Sequence, residues 1–144
     1  MIELNKFTIP EVINRTIKNH PENYSLGLVG KRALKYSELK NHIKSVSEFL
    51  ISNDIKKGDK VAVLSESMPN WAIVFFAVTS IGAVAVPIMT EFQADEIKYI
   101  IEDSGAKGVK KKKKCINKLS AFNLNMLSFK VIITPSPLNS FIAN

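Results

Sequence analysis

The sequence predicts an α/β fold built around a parallel sheet. Three observations carry that prediction. Between residues 57 and 109, short apolar runs alternate with helical patterns in the order strand, helix, strand, helix, strand. Such alternation places helices on the faces of a parallel sheet, joined by right-handed crossovers. The runs Lys60–Leu64 (KVAVL) and Ala83–Ile88 (AVAVPI) are apolar almost throughout, as strands buried on both faces should be. The uncharged run from residue 71 to residue 90 is interrupted by Gly82 and Pro87, which divide it into a helix and a strand.

That uncharged run has one competing reading. From Trp71 to Met89 it is long enough, at about 1.5 Å per residue, to approach a bilayer core as a single helix. Thr79, Ser80 and Gly82 interrupt it midway, and Val84, Val86 and Ile88 alternate with Ala83, Ala85 and Pro87. Branched residues at period two favour a strand. Glu66 and Glu91 flank the run where a membrane span would carry positive anchors. The division therefore falls as a helix from Pro69 to Ile81 and a strand from Ala83 to Ile88. Pro69 occupies the first turn, Ser67 precedes it as N-cap, and Gly82 closes the helix in left-handed geometry. The helix is apolar nearly all round, so Trp71, Phe75 and Phe76 are expected in the core.

The remaining elements follow in chain order. Ile9–Lys18 forms a helix with Pro10 at its start and Val12, Ile13 and Ile17 on one side. Tyr24–Val29 and Ala33–Tyr36 form a hairpin around Gly30-Lys31. Ser37 caps a long helix from Glu38 to Ser52, whose apolar face is Leu39, Ile43, Val46, Phe49 and Leu50. Lys57-Gly58-Asp59 is the turn into the first parallel strand. Ala94–Ser104 is an amphipathic helix, with Asp95 and Glu96 in its positive first turn and Ile97, Ile100 and Ile101 as its stripe. Gly105 ends it, and a strand runs over Ala106–Val109.

Composition bounds the function classes. A chain of 144 residues with 46% hydrophobic residues can bury a real core. The net charge is +7, and removing Lys110–Lys114 leaves +2. The basicity is thus one local feature, which does not support a nucleic-acid reading from charge alone. The lone Cys115 leaves no internal disulfide and suits a reducing, cytoplasmic setting. One cysteine with the distant His20 and His42 makes no metal-ligand pattern. MIELNKFTIPEV has no apolar signal-peptide core. Gly27-Leu28-Val29-Gly30-Lys31-Arg32 superficially suggests a phosphate loop, but lacks the Walker spacing and the Ser or Thr after Lys, so it reads as a hairpin turn. Glu66 and Glu91 read as solvated loop carboxylates, although Ser65–Met68 and Met89–Phe92 lie where open α/β sheets meet ligands.

Several of these segments coincide with a known family. Leu34-Lys35-Tyr36-Ser37-Glu38-Leu39 resembles the L-T-Y-x-E-L entry to the first long helix of AMP-forming acyl-CoA synthetases. Lys57-Gly58-Asp59-Lys60-Val61-Ala62-Val63 resembles their K-G-D-x-V-A strand. Met68-Pro69-Asn70-Trp71, Ile81-Gly82-Ala83-Val84-Ala85-Val86-Pro87 and the helix ending at Tyr99-Ile100-Ile101-Glu102-Asp103-Ser104-Gly105-Ala106-Lys107 follow in family order. The flavour is that of bacterial long-chain fatty-acid–CoA ligases. The resemblance covers residues 8–109, with an echo at Phe129–Thr134 (FKVIIT).

The resemblance implies an incomplete βαβαβ portion of the large N-terminal domain of an adenylate-forming enzyme, preceded by a helix, a hairpin and a long helix. It also implies the family reaction. ATP, with Mg²⁺, adenylates a fatty acid and pyrophosphate leaves; the thiol of CoA then displaces AMP. The family holds the triphosphate with a Ser/Thr/Gly-rich loop and steadies the acyl phosphate with a lysine. This sequence has no S-G-T-T-G-x-P-K type loop, no Y-G-x-T-E segment and no lid lysine. No residue here is accordingly assigned a catalytic, cofactor-binding or metal role, and the chain is expected to be inactive alone. Gln93 departs from the Thr or Ser the family often places as a helix cap, a change expected to cost about 1 kcal/mol at most.

Lys110–Lys114 interrupts the family pattern. Adjacent like charges cannot be buried in a parallel strand without large desolvation cost. Three readings stand: a solvated excursion, contact with a polyanion, and a sequence artefact from slippage in a run of AAA codons. The expected division is residues 1–109 as a partial AMP-binding-type domain, and 110–144 as the lysine run and a divergent tail with a further strand at 129–134. The ending near Pro135-Ser136-Pro137 reads as a stop in mid-domain. Self-association through an open sheet edge, weak binding of acyl lipid and peripheral contact with the inner face of a membrane complete the expectations.

Overall fold

The computed structural model describes residues 8–64 and 69–106. The expected strands from Ala106 and at Phe129–Thr134, the cap Ser67, Glu66, Cys115 and the run Lys110–Lys114 lie outside them, save for Ala106 itself. The order of elements is α1 (Ile9–Asn19), β1 (Tyr24–Leu26), β2 (Leu34–Lys35), α2 (Tyr36–Ser52), β3 (Lys60–Leu64), α3 (Pro69–Ser80), β4 (Val84–Ile88) and α4 (Ala94–Ser104).

Helix α1 begins where Thr8 Oγ1 accepts the Glu11 N–H at 3.4 Å, so a side chain satisfies one of the orphan donors of the first turn. The hairpin is shorter than its sequence predicts. β1 and β2 pair antiparallel at Tyr24↔Lys35 and Leu26↔Leu34, with an irregular register between them. The Lys31 N–H donates to Leu28 O at 3.0 Å, so the turn centres on Val29-Gly30, not on Gly30-Lys31. Gly30 takes φ 75° there. Gly27 allows the strands to close: a Cβ at that position would lie 2.7 Å from Ala33 Cβ.

Ser37 is not the cap of α2. The helix starts one turn-step earlier, at Tyr36, with Lys35 in the cap position. Its first donors are taken by the preceding loop: Tyr36 N–H by Asn23 O at 3.0 Å and Ser37 N–H by Pro21 O at 2.9 Å. The Glu38 carboxylate reaches back to accept the Lys35 N–H at 2.8 Å. A serine hydroxyl is not needed where backbone carbonyls already fill these sites.

β3 and β4 pair parallel over five residues, from Lys60↔Val84 to Leu64↔Ile88. Alternation sends Val61, Val63 and Ala85 to one face, against α1, α2 and α3. It sends Ala62 and Ile88 to the other, against Ile101 of α4 and Ala106. The result is a three-layer α/β/α arrangement. Leu39, Leu50, Ile73, Val61, Val63 and Val78 are fully buried at its centre. Helix α3 buries Ile73, Val74, Ala77 and Val78, and Trp71 and Phe76 pack against that core. Among the described residues no helix is long and apolar enough to cross a membrane. The uncharged run is instead a 12-residue helix and a five-residue strand.

The break between them is a left-handed closure. Gly82 has φ 74°, and the Ala83 N–H turns back to Val78 O at 3.1 Å. That bond is why the strand begins at Val84 and not at Ala83. The same closure is stitched to the turn before β3: Gly58 N–H donates to Gly82 O at 2.9 Å, and Val84 N–H to Asp59 O at 2.8 Å. The Lys57-Gly58-Asp59 and Ile81-Gly82-Ala83 segments therefore form one structure, the amino edge of the sheet. On the opposite face of the sheet, Gly105 (φ 62°) closes α4 in the same left-handed geometry.

Candidate functional site

Helices α3 and α4 leave the carboxyl ends of β3 and β4 toward opposite faces of the sheet. Adjacent strands whose crossovers diverge in this way open a crevice at their carboxyl ends, where open α/β sheets bind ligands. The described wall of that crevice is the turn after β4. Phe92 N–H donates to Met89 O at 3.3 Å, which keeps Met89, Thr90 and Glu91 at the surface while Phe92 packs into the α4 core. Met89 is 57% exposed.

The electrostatics of this edge are one-sided. From Met89 to Glu96 the chain carries Glu91, Asp95 and Glu96 and no cation. Asp95 and Glu96 sit in the first turn of α4 and offset the positive end of its dipole. Glu96 also accepts the Gln93 N–H at 2.7 Å, so the helix start that lacks a side-chain cap gains a bond from within. The first turn of α3 holds no acidic residue. An aromatic strip runs along α3 from that end: Trp71 and Phe75 stack with centroids 5.2 Å apart, and Phe76 meets Phe75 edge-on at 6.0 Å.

These residues do not fit a nucleotide triphosphate, whose charge needs converging cations or a cradle of backbone N–H groups. Among the described residues there is also no group of three His, Cys, Asp or Glu side chains placed to hold a metal ion. What the edge offers is the exposed apolar side chain of Met89 beside the surface carboxylate of Glu91.

The phosphate-loop look-alike is a hairpin turn whose Arg32, with Lys35 just beyond it, is engaged in an ion pair. Arg32 Nη2 donates to Glu38 Oε1 at 2.7 Å, and Lys35 Nζ to Glu22 Oε2 at 2.8 Å. The Lys35 N–H and the Arg32 guanidinium hold the Glu38 carboxyl below its usual range. In turn, hydrogen bonding to Glu38 raises the Arg32 guanidinium. One turn along α2, burial pushes the His42 imidazole down, opposed by the charge of Glu38. Glu38 thus joins the hairpin to the helix start, a role the sequence signals only through its three-residue spacing from Lys35.

Fold and edge together define an open α/β/α sheet layer with an interlocked amino edge and a crevice at its carboxyl edge, the architecture of a ligand-binding α/β domain. The family model of the AMP-binding enzymes matches residues 13–139, and the chain belongs to that family. It corresponds to the N-terminal part of the AMP-forming acyl-CoA synthetases. It is similar to the long-chain-fatty-acid–CoA ligase FadD15 of Mycobacterium bovis, 36% identical over 70 residues, covering 49% of this chain and 12% of that protein. FadD13 of Mycobacterium tuberculosis, also named a long-chain-fatty-acid–CoA ligase, is 34% identical over 76 residues, 53% of this chain and 15% of its own length. The N-terminal subdomain of NpsA from Klebsiella oxytoca shares the fold with a TM-score of 0.67 at 21% identity, over 87% of this chain and 35% of that one. The chain thus matches only a small fraction of the length of its curated relatives.

Proposed function

We propose that the chain is the N-terminal part of an ATP-dependent long-chain fatty acid–CoA ligase, and that these 144 residues do not catalyse acyl adenylation by themselves. The observation that carries the reading is where the family-like segments sit. Lys57-Gly58-Asp59 and Ile81-Gly82-Ala83 are bonded to each other at the amino edge, and Leu34–Leu39 is bonded into the hairpin and helix start. They are scaffold. The opposite edge presents carboxylates where adenylation needs cations. The names of FadD15 and FadD13 support the long-chain substrate class. On this reading Met89–Phe92 borders the cleft that the rest of a full-length enzyme completes, and ATP, Mg²⁺ and CoA act there.

The test is ATP–pyrophosphate exchange with palmitate as substrate. The purified chain gives no exchange above the buffer blank; measurable exchange would sink the inactivity proposal. A chimera in which residues 8–106 replace the equivalent stretch of a long-chain ligase tests the family placement. It activates palmitate in preference to acetate. A folded chimera without activity, or one preferring acetate, refutes the substrate class.

One observation favours a second, non-catalytic role. Among the described residues the parallel sheet consists of β3 and β4, and the edge of a sheet is where a further strand can add. A separate chain supplying that strand would make this an interaction module. Size-exclusion chromatography that gives a clean monomer at every salt concentration argues against association.

A further inference from the structure

We propose that the groove between α1 and α2 is a binding site for a small amphipathic anion, distinct from the carboxyl edge of the sheet. The groove is an open depression of about 630 Å³, within the size range of small-molecule sites, with Asn14, Lys18, Pro21, Lys40 and Asn41 exposed along it. Its floor is apolar, from Ile17 and Pro21, and its rim carries Lys18, Lys40, Asn14 and Asn41. Among the described residues no carboxylate lines it.

Three features set this groove apart from an incidental crevice. Its walls are fixed from below: Ile17, Leu39 and Ile43 are buried in the main core. Its end is closed by backbone, through the Ser37 N–H bond to Pro21 O at 2.9 Å. Its two cations are uncommitted: among the described residues neither Lys18 nor Lys40 has an ion-pair partner. The neighbouring carboxylates Glu22 and Glu38 are held instead by Lys35 and Arg32. Lys18 suits the negative end of α1, in whose last turn it lies. Lys40, the fifth residue of α2, lies past the first turn, so the helix dipole gives no account of it.

Two ammonium groups over an apolar floor, flanked by carboxamides that can donate further N–H bonds, complement an anionic head on a short apolar body. A bare anion would leave the floor empty, and a neutral apolar molecule would leave both lysines unmatched. The ligand class is therefore an alkyl phosphate or a compound of the same chemistry.

The experiment is a titration of the ¹⁵N-labelled full chain followed by amide chemical shifts. The probes are hexyl phosphate, inorganic phosphate, and phosphatidylcholine vesicles with and without phosphatidylglycerol. Hexyl phosphate should shift amides from Asn14 to Lys18 and from Ser37 to Asn41 saturably, and inorganic phosphate should bind about tenfold more weakly. The double variant K18Q/K40Q should lose about tenfold in affinity while keeping the wild-type melting temperature, and K18R/K40R should retain binding. The inference is overturned if hexyl phosphate moves no groove amide, if inorganic phosphate binds equally well, or if K18Q/K40Q binds as the parent does. Shifts produced only by anionic vesicles also overturn it, in favour of a membrane surface. The localisation of shifts on the wild-type chain decides the matter even if a variant fails to fold.

Discussion

Replacing Gly82 by alanine tests the physical role of the break in the uncharged run. Gly82 holds φ 74°, and an L-residue in left-handed helical geometry costs about 1–2 kcal/mol. A second, smaller cost comes from contact. The new Cβ would lie 3.0 Å from Lys57 Cγ and 3.5 Å from Lys57 Cβ and Cδ. Lys57 is exposed and its stem can rotate away, so this contact adds at most about 0.5 kcal/mol, within the coupling seen for touching residues. The sum, about 1–2.5 kcal/mol, is a sizeable part of an ordinary domain's roughly 5–15 kcal/mol. Gly58 supplies the control. It has φ 85° with nothing within 4 Å of its would-be Cβ, so G58A reports the backbone cost alone. Urea unfolding followed by the fluorescence of Trp71, the single tryptophan, gives each stability. G82A should be destabilised slightly more than G58A, and K57A should remove that excess. If G82A unfolds at the wild-type midpoint, left-handed closure is not what Gly82 contributes.

Two further outcomes follow from the helix starts and the titrating groups. Changing Gln93 to serine replaces a long, weakly capping side chain with a short one suited to accept the Glu96 N–H and should stabilise the chain by about 0.5–1 kcal/mol, read in the same urea titration; no gain would mean that the Gln93 side chain already fills that half of the capping box. Stability should fall on acidification in two stages. The folded-state pKa of His42 lies below its ordinary value, so the unfolded chain takes up that proton first. Its contribution is complete above about pH 6.5, the unfolded value, and is lost as pH falls from there through the lower folded-state value. Glu38 is also depressed, first by the Lys35 N–H and then by Arg32, so its contribution is lost only at lower pH, as pH drops through the carboxylate range. Melting temperature measured from pH 8 to pH 2 should show the upper stage vanish in H42N and the lower stage, below about pH 4.5, shrink in E38Q; an unchanged profile in either variant refutes that assignment.

The layers were legible because they depend on local pattern. Lys60–Leu64 and Ala94–Ser104 agree with the structure at both ends, and Gly82 and Gly105 both adopt the left-handed closures their positions suggest. Where expectation failed, a long-range bond had replaced a local one. Ser37 looked like a cap because serine before a helical stripe often is one, yet its N–H is taken by Pro21 O, 16 residues earlier in the chain. The hairpin looked longer because Leu28 and Val29 are strand formers, but both are exposed and the turn claims them.

By itself the sequence determined the α/β class, the split of the uncharged run into helix and strand, and the family, because periodicity, turn residues and ordered motifs are written along one chain. Tertiary structure alone decided that the two glycine segments are one interlocked edge, that α3 and α4 cover opposite faces, and that two lysines 22 positions apart border one groove. Those relations join residues distant in sequence through backbone bonds and shared burial, and no local pattern encodes them.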